Sequence, residues 1–379
     1  METIKYIGFY PKDKDGFMRT GSIAAANKMD YICSAVNAAG YKVQIVSPSM
    51  FSDDKRKYAK QYTIIENDSK AIIFAPSFIA KNRITKRIRA VFSQIWLFLF
   101  LIHNTKRNEN IIVYHSLFLI TPVLLARRIR KFKIILENNE VYSDVKKYSS
   151  RIEELEYNMF SSVDKFIFST ELLNEKLNKY NKPFAVNYGT YLVEEDRKSR
   201  FNDGKIHAVY AGIIDNEKGG AAAAASAEYL DSNYHVHIIG FGSERDVKKL
   251  IELINDISKK TECTLTYDGL MTGEDYIDFI QKCDIGLSTQ TPDAAYNDTS
   301  FPSKVLSYLS NGLRVVSIKI KALEVSKIGK LLFFYNVNSP KEIANAINHI
   351  DFSSPYDSRE MLKKMNILFI KEIGDLLHE

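Results

Sequence analysis

Short apolar segments alternate with amphipathic segments along most of this 379-residue chain. The alternation is typical of α/β proteins, in which each parallel strand is followed by a helix that covers the sheet. In the first half, strands are predicted at residues 4–10, 42–47, 111–115, 132–137, 165–169 and 184–187, and helices at 22–39, 117–130, 152–160 and 172–180. Residues 62–78 are predicted to form two short strands around a turn at Asn67 and Asp68.

The second half repeats the pattern after a charged segment, residues 195–204, that has no apolar periodicity and is predicted to be a linker. Its strands are predicted at 207–211, 235–239, 264–267, 285–288, 314–318 and 332–335, and its helices at 220–230, 244–258, 274–282, 302–310 and 341–349. The expected fold is α/β, with two Rossmann-like doubly wound domains, residues 1–194 and 205–355, facing a central cleft.

Composition and charge limit the classes of function. Hydrophobic residues make up 45% and charged residues 26%, which indicates a globular protein. Three widely spaced cysteines are expected to be free thiols, and no metal site is predicted. The formal charge of +6 suits a phosphate-bearing ligand or an anionic membrane surface, and does not indicate nucleic acid. Without a signal peptide, and with its longest apolar run (95–102) too short to span a bilayer, the chain is expected to be cytoplasmic.

The segment with the strongest chemical signal is Phe301-Pro302-Ser303-Lys304, which is predicted to open a helix that stops at Gly312. Thr299 or Ser300 can cap that helix. The first-turn amides and the positive end of the helix dipole favour an anion there, and Lys304 adds a charge. The alternative is an ordinary capped helix with an exposed lysine.

Two further glycine-containing segments follow predicted strands. In the first, a strand ends at Gly212, and Lys218 stands at the start of an alanine-rich helix, where a phosphate would compensate its charge. In the second, Gly240 and Gly242 form half of a dinucleotide fingerprint whose third glycine is replaced by Arg245, so a nicotinamide cofactor is disfavoured. Both glycines permit close approach of a ligand. For Lys218, a solvated side chain is the alternative.

Candidate residues also occur in the first half. His115 ends one predicted strand, and Glu137 and Glu140 stand at the end of the next. A histidine or carboxylate there, with His115 and Glu140 as the candidates, could accept a substrate proton; a structural polar network is the alternative. Arg19 and Gly21 lie before a predicted helix and are candidates for an acceptor-side loop, or else for a plain helix start. The aspartates in residues 13–15 are expected to be part of a solvated turn and not of a metal site.

A basic stretch at residues 81–89 precedes the apolar stretch 91–102. Such a helix either lies on an anionic membrane surface or is buried with a solvated basic end. A second basic cluster at residues 127–131 supports the membrane alternative. The sequence therefore leaves open that the protein is peripheral on an inner-membrane surface.

The second half resembles the donor domain of GT-B-fold glycosyltransferases, close to retaining family 4. The resemblance is carried, in order, by Gly212 with Lys218 and Gly219, Gly240 with Gly242, Tyr267 to Leu270, Cys283 to Ser288, and Phe301 to Lys304 with Tyr308, Leu309, Gly312 and the following valines. In the first half the layout agrees, and Asn187-Tyr188-Gly189 is similar to the stretch that closes that domain in the family.

The resemblance implies transfer of a sugar from a nucleotide-diphosphate sugar to a glycan or lipid-linked acceptor, with retention, without metal and without a cofactor besides the donor. It implies that Lys218 binds the diphosphate, that the loop after Gly269, with Leu270, lies against the base, and that the Phe301–Lys304 loop receives phosphate and sugar. A C-terminal helix, residues 356–379, is expected to cross back to the N-terminal domain.

The sequence departs from the family at three positions. Ile213 stands where the family often has arginine, and Thr299 and Ser307 stand where it has two glutamates. Lys304 is a candidate to replace the arginine as phosphate partner. Two alternatives follow from the missing carboxylates: a non-catalytic protein that binds sugar nucleotides or lipid, or a sugar-nucleotide epimerase that uses Asp293.

Overall fold

A computed structural model describes residues 1–11, 19–51, 57–215, 219–291 and 300–378. The chain divides into two compact units. The first, here unit 1, comprises Met1–Thr190 and Ile367–Glu379, and the second, unit 2, comprises Tyr191–Asn366. Several candidates from the sequence lie outside the described residues: Lys218, Asp293, Thr299 and the aspartates of residues 13–15.

Unit 1 is built on one large sheet. Its strands are β1 (Thr3–Ile7), β2 (Lys42–Ser47), β4 (Tyr62–Asn67), β5 (Lys70–Phe74), β7 (Asn110–Tyr114), β8 (Lys133–Asn138), β9 (Lys165–Phe168) and β10 (Phe184–Val186), and β3 (Tyr58–Ala59) pairs with β6 (Ser77–Phe78) outside it. The order is β10-β9-β8-β7-β1-β2-β5-β4, and only the pair β4–β5 of this sheet is antiparallel. The order reverses between β1 and β7, which is the doubly wound pattern.

Helices cover the sheet of unit 1. They are α1 (Ile23–Ala38), α2 (Arg83–Asn104), α3 (Leu117–Arg130), α4 (Tyr142–Val145), α5 (Ser150–Ser162) and α6 (Glu171–Leu177). Sequence signals explain several starts: Ser22 caps α1 by accepting a hydrogen bond from the Ala25 amide, and Asn82 and Thr85 form a capping box on α2. The apolar faces of α2, α3 and α5 pack with the sheet into one core.

Unit 2 contains a fully parallel sheet with the order β13-β12-β11-β14-β15-β16. Its strands are β11 (Ile206–Ile214), β12 (Tyr234–Gly242), β13 (Thr264–Gly269), β14 (Ile285–Ser288), β15 (Arg314–Ile318) and β16 (Leu332–Tyr335). Its helices are α7 (Gly220–Ala225), α8 (Glu244–Ser258), α9 (Gly273–Lys282), α10 (Ser303–Ser310), α11 (Lys321–Glu324) and α12 (Pro340–Asn348). Here the order reverses between β11 and β14.

The last helix, α13 (Ser358–His378), contributes to both units. In unit 2, the Ser358 hydroxyl donates to the Leu309 carbonyl at 2.8 Å. In unit 1, the Phe369 ring stacks on Tyr31 at 5.7 Å, and Lys165 Nζ donates to the Leu376 carbonyl at 2.5 Å. Among the described residues, no helix is both long and apolar enough to span a bilayer.

Candidate functional site

In doubly wound sheets, ligands bind beyond the carboxyl ends of the strands where the strand order reverses. In unit 2 that position lies between β11 and β14. β11 carries Gly212 near its carboxyl end, and α10 begins at Ser303. Groups that can hold a ligand are therefore expected at this edge of unit 2.

Helix α10 is fixed over the reversal by Tyr308, whose side chain is fully buried. Its hydroxyl accepts a hydrogen bond from the Ala211 amide of β11 at 2.8 Å and donates one to the Leu287 carbonyl of β14 at 3.4 Å. Gly286 makes room for the ring, because a Cβ at that position would lie 2.3 Å from it. One side chain thus joins α10 to both strands beside the reversal.

The start of α10 lies against the end of β11. Pro302 occupies the capping position, one residue earlier in the helix pattern than predicted, and its own side chain does not cap the first-turn amides. Lys304 Nζ lies 4.0 Å from the centroid of the Tyr210 ring and 3.3 Å from the point where a Cβ on Gly212 would be. A cation and helix amides therefore lie together near the strand end, where they favour an anion.

Gly240 and Gly242 of β12 have a structural reason that the sequence did not reveal. Both strands continue beyond the predicted ends, through Ile214 and Gly242. Gly240 has φ +139°, and a Cβ there would lie 1.8 Å from the Gly212 carbonyl oxygen; at Gly242 a Cβ would lie 2.3 Å from that of Ile214. Close packing between the two strands therefore requires glycine at both positions.

A cavity of about 310 Å³ opens at this edge of unit 2. It is lined by the ends of β11 and β12 and by the loop from β13 into α9, through Ala211, Gly212, Ile213, Ile239, Gly240, Phe241, Leu270, Met271, Thr272 and Tyr276. Phe241 and Leu270 are more than half exposed and flank the opening. Three predicted residues, Gly212, Gly240 and Leu270, thus line one mostly apolar pocket. Gly269, also predicted, is the residue before Leu270 in the sequence.

Tyr276 is a site residue that the sequence analysis missed. It lines the cavity, and its hydroxyl lies 2.9 Å from the Ser307 hydroxyl on α10. Burial raises the pKa of Tyr276, so its hydroxyl keeps its proton and can donate. The sequence places Tyr276 in the helix that follows the Gly269 loop, which was a sign that it lies near the site. Nothing in the sequence indicates that this helix, α9, contacts α10.

In unit 1, His115 follows β7 but is buried, with 4% of its surface exposed. Its ring packs between Tyr142 and Phe160, each 5.0 Å away, and its Nε2 lies 3.3 Å from Glu156. Burial lowers the pKa of His115 to about 4. The Glu156 carboxylate is itself engaged by the Tyr142 amide at 2.8 Å. This placement favours the structural-network alternative for His115.

Glu140 lies close to His115 but is only half-buried. Burial, and then the charge of Glu156, raise the pKa of its carboxyl group. A carboxylate with a raised pKa at the carboxyl edge of a parallel sheet suits proton transfer better than the buried imidazole does.

A second carboxylate at the same edge, Glu137, is fully buried. It accepts hydrogen bonds from the Tyr6 hydroxyl and, at 3.1 Å, from the Asn139 amide. Lys28 Nζ lies 3.9 Å away and donates to the Asn187 carbonyl at 3.0 Å. The network holds β1, β8, α1 and the end of β10 together, which gives it a structural role.

The two acceptor-side candidates have different surroundings. Arg19 is buried, and its guanidinium donates to the Ser49 carbonyl at 2.6 Å and to the Tyr62 hydroxyl at 3.1 Å. It also lies 4.7 Å from the centroid of the Phe74 ring. Such a guanidinium holds loops of unit 1 together, which favours the structural alternative. Gly21, in contrast, is exposed just before α1.

Unit 1 has a cavity of about 460 Å³, larger than the one beside Gly212 in unit 2, at the amino-terminal edge of its sheet. Basic residues line it, but the Arg127 guanidinium is paired with the Asp164 carboxylate through bonds of 2.8 and 2.9 Å. No candidate site residue from the sequence lies there.

Comparison with protein-family models gives no match, and comparison with curated protein sequences gives none either. Solved structures do match. A sucrose-phosphate synthase of Thermosynechococcus elongatus is 12% identical, with a TM-score of 0.66, over 100% of this chain and 98% of that one. HepE of Anabaena in complex with UDP is 11% identical, with a TM-score of 0.64, over 100% of both chains.

A third match is described as trehalose-6-phosphate from E. coli bound with UDP-2-fluoro glucose; it is 11% identical, with a TM-score of 0.62, over 100% of this chain and 97% of that one. These similarities confirm the predicted fold class, an α/β chain with two Rossmann-like domains as in GT-B glycosyltransferases. At these identities they establish the fold alone.

Proposed function

We propose that this chain is a glycosyltransferase that moves a sugar from a nucleotide-diphosphate sugar to a glycan or lipid-linked saccharide acceptor. The observation that carries the proposal is the meeting of Lys304, the α10 start and Gly212 beside the cavity of unit 2. The solved structures with this fold include complexes with UDP and with UDP-2-fluoro glucose. Diphosphate chemistry at this position therefore agrees with both the geometry and the fold.

Each part of the site has a proposed role. The apolar cavity between Phe241 and Leu270 takes the nucleobase. The Tyr276 and Ser307 hydroxyls, 2.9 Å apart, bind the ribose in place of the family carboxylate. Lys304 and the α10 amides hold the diphosphate, and their charge stabilises it as it leaves. Lys218, Thr299, Ser300, Phe301 and Ser303 are proposed to complete the phosphate and sugar contacts.

The transfer step is proposed to proceed with retention and without metal, since a lysine and helix amides can supply the charge that a cation supplies elsewhere. Glu140 is the proposed proton acceptor for the substrate hydroxyl, because its pKa is raised and it is only half-buried. His115, which is buried, is proposed to help position Glu140 without contacting the substrate.

The test is to incubate the purified protein with a panel of nucleotide sugars, with and without saccharide and membrane-lipid acceptors, and to measure released nucleoside diphosphate. Release that requires an acceptor supports the proposal. Saturable binding of a nucleotide sugar without release with any acceptor supports a second candidate, a non-catalytic binding protein. That candidate is favoured by one observation: a serine, Ser307, stands where the resemblance places a carboxylate.

We further propose that unit 1 docks on an anionic membrane surface through α2. The exposed apolar residues of this helix recur every three or four positions and so share one face: Ile84, Ile88, Val91, Ile95 and Leu99. Exposed basic residues stand at its start, at Lys81, Arg83, Lys86 and Arg87. An apolar face with a basic border is what an interfacial helix presents to anionic lipid.

Vesicle flotation tests the docking. The wild-type protein should bind vesicles that contain phosphatidylglycerol more strongly than vesicles of phosphatidylcholine alone, and Ile88→Glu should lose that binding. Ile251→Glu is the matched control, since Ile251 is similarly exposed on α8 of unit 2. Equal binding of all three proteins, or none by the wild type, would contradict the docking proposal.

A further inference from the structure

Three histidines of unit 2 lie on one face of the sheet, near the start of β11 and β12. The strand register places His207 of β11 beside His235 of β12, and the two-residue period of a strand turns His237 to the same side as His235. One ring nitrogen from each lies within 4.8 Å of the other two. His207 and His237 are each only 2% exposed, whereas His235 is partly accessible.

Two carboxylates orient the buried rings from outside. Asp203 Oδ1 lies 2.9 Å from His207 Nε2, and Asp268 Oδ2 lies 3.0 Å from His237 Nδ1. Carboxylates behind imidazoles in this way are typical of metal-binding histidines.

The inner nitrogens of the two rings face each other. Nδ1 of His207 lies 2.9 Å from Nε2 of His237. If each neutral ring donates its outer N–H to a carboxylate, both inner nitrogens carry lone pairs. In that pair of tautomers the two lone pairs repel, and a cation, either a proton or a metal ion, would relieve the repulsion.

We propose that His207, His235 and His237 form a binding site for a divalent transition-metal ion of the zinc type. A shared proton needs two bases, whereas the third imidazole, whose ring stacks on that of His237 at 3.8 Å, supplies a third nitrogen donor. Neutral imidazoles with an open fourth position suit Zn²⁺, and partial exposure of His235 gives the ion a path from solvent.

The role of the ion is structural. The histidines stand near the start of β11, and Gly212 of the cavity lies five residues further along the strand, about 16 Å away. The ring of Phe201, which precedes β11, stacks on His207 at 4.1 Å. A metal here would therefore fasten the segment before β11 to the sheet of unit 2, and would take no part in sugar transfer.

The test uses the full chain after dialysis against a chelator, titrated with Zn²⁺ by calorimetry and thermal unfolding. The wild type should bind one equivalent and gain Tm. His235→Gln and His237→Gln should lose that binding, and Asp203→Asn should weaken it about tenfold. His349→Gln, which removes an exposed imidazole from the same unit, should behave like the wild type.

Absence of saturable Zn²⁺ binding by the wild type, or full binding by both histidine variants, would overturn the site and leave the shared proton as the explanation. Cobalt substitution gives an independent measurement on the wild type in case a variant does not fold. Intense visible absorption by bound Co²⁺ supports a four-coordinate imidazole site, and its absence at saturating Co²⁺ rejects it.

Discussion

At the scale of single residues, Lys304 carries the charge of the proposed donor site. We expect Lys304→Ala to raise the KM for the donor about 10- to 100-fold, because a hydrogen bond to a charged group contributes roughly 1.5–3 kcal/mol. Steady-state kinetics across donor concentrations measure the change. Lys330→Ala, at an exposed lysine of the same unit, is the control. Donor kinetics equal to the control would remove Lys304 from the site.

Tyr276 gives a second prediction at this scale. Tyr276→Phe removes the hydroxyl that lies 2.9 Å from Ser307 without changing the ring that lines the cavity. Loss of one ordinary hydrogen bond should weaken nucleotide binding about 3- to 10-fold, with a smaller effect on a free base or on pyrophosphate alone. Calorimetric titration of these ligands tests the ribose assignment, and equal weakening for all of them would contradict it.

Lys28 predicts a pH dependence of stability. Burial lowers its pKa to about 8 in the folded protein, whereas an unfolded lysine titrates near about 10.4. Between these values the unfolded chain binds more protons, so the free energy of unfolding should rise with pH across this window. In urea unfolding, the free energy of unfolding of the wild type minus that of Lys28→Met should rise from about pH 8 to about pH 10. A constant difference would mean that the lysine is not perturbed.

At the scale of elements, the position of α10 depends on Tyr308. We expect Tyr308→Phe to lower the free energy of unfolding by about 1–3 kcal/mol, because the buried Ala211 amide loses its acceptor. Tyr335→Phe is a matched control: Tyr335 is equally buried in unit 2, and its hydroxyl has no hydrogen-bond partner among the described residues. Urea unfolding measures the free energy of unfolding of both variants. A larger decrease for Tyr308→Phe than for Tyr335→Phe reports the hydrogen bond to the Ala211 amide and not merely the loss of a hydroxyl.

The elements themselves were largely predictable from the sequence, because each needs only its own apolar period and its ends. Ser22 before α1 and Gly312 after α10 are local signals of this kind. The strand ends at Ile214 and Gly242 were not predictable, since they depend on packing between β11 and β12. Contacts between elements that are distant in sequence, such as Tyr276 with Ser307, could not be predicted for the same reason.

At the scale of the whole molecule, the two reversals of strand order followed from the alternation of strands and helices, and the solved structures confirm that fold. Burial was harder to predict than fold. His115 and Arg19 looked available in the sequence, but the structure encloses both in side chains from other elements. The histidine cluster left a signal, His235-x-His237, whose meaning depends on the neighbouring strand that supplies His207.

The central claim is that the cavity of unit 2 binds the nucleoside diphosphate of a sugar donor. The most direct measurement is calorimetric titration of UDP and GDP into the wild type, Ile213→Trp and Ile251→Trp. Ile213 lines the cavity and is 46% exposed, so a tryptophan there should fill it; Ile251, 41% exposed on α8, is the control. We predict that the wild type and Ile251→Trp bind at least one of the nucleotides with equal affinity and that Ile213→Trp does not. Undiminished binding by Ile213→Trp, or no binding by the wild type, would contradict the claim.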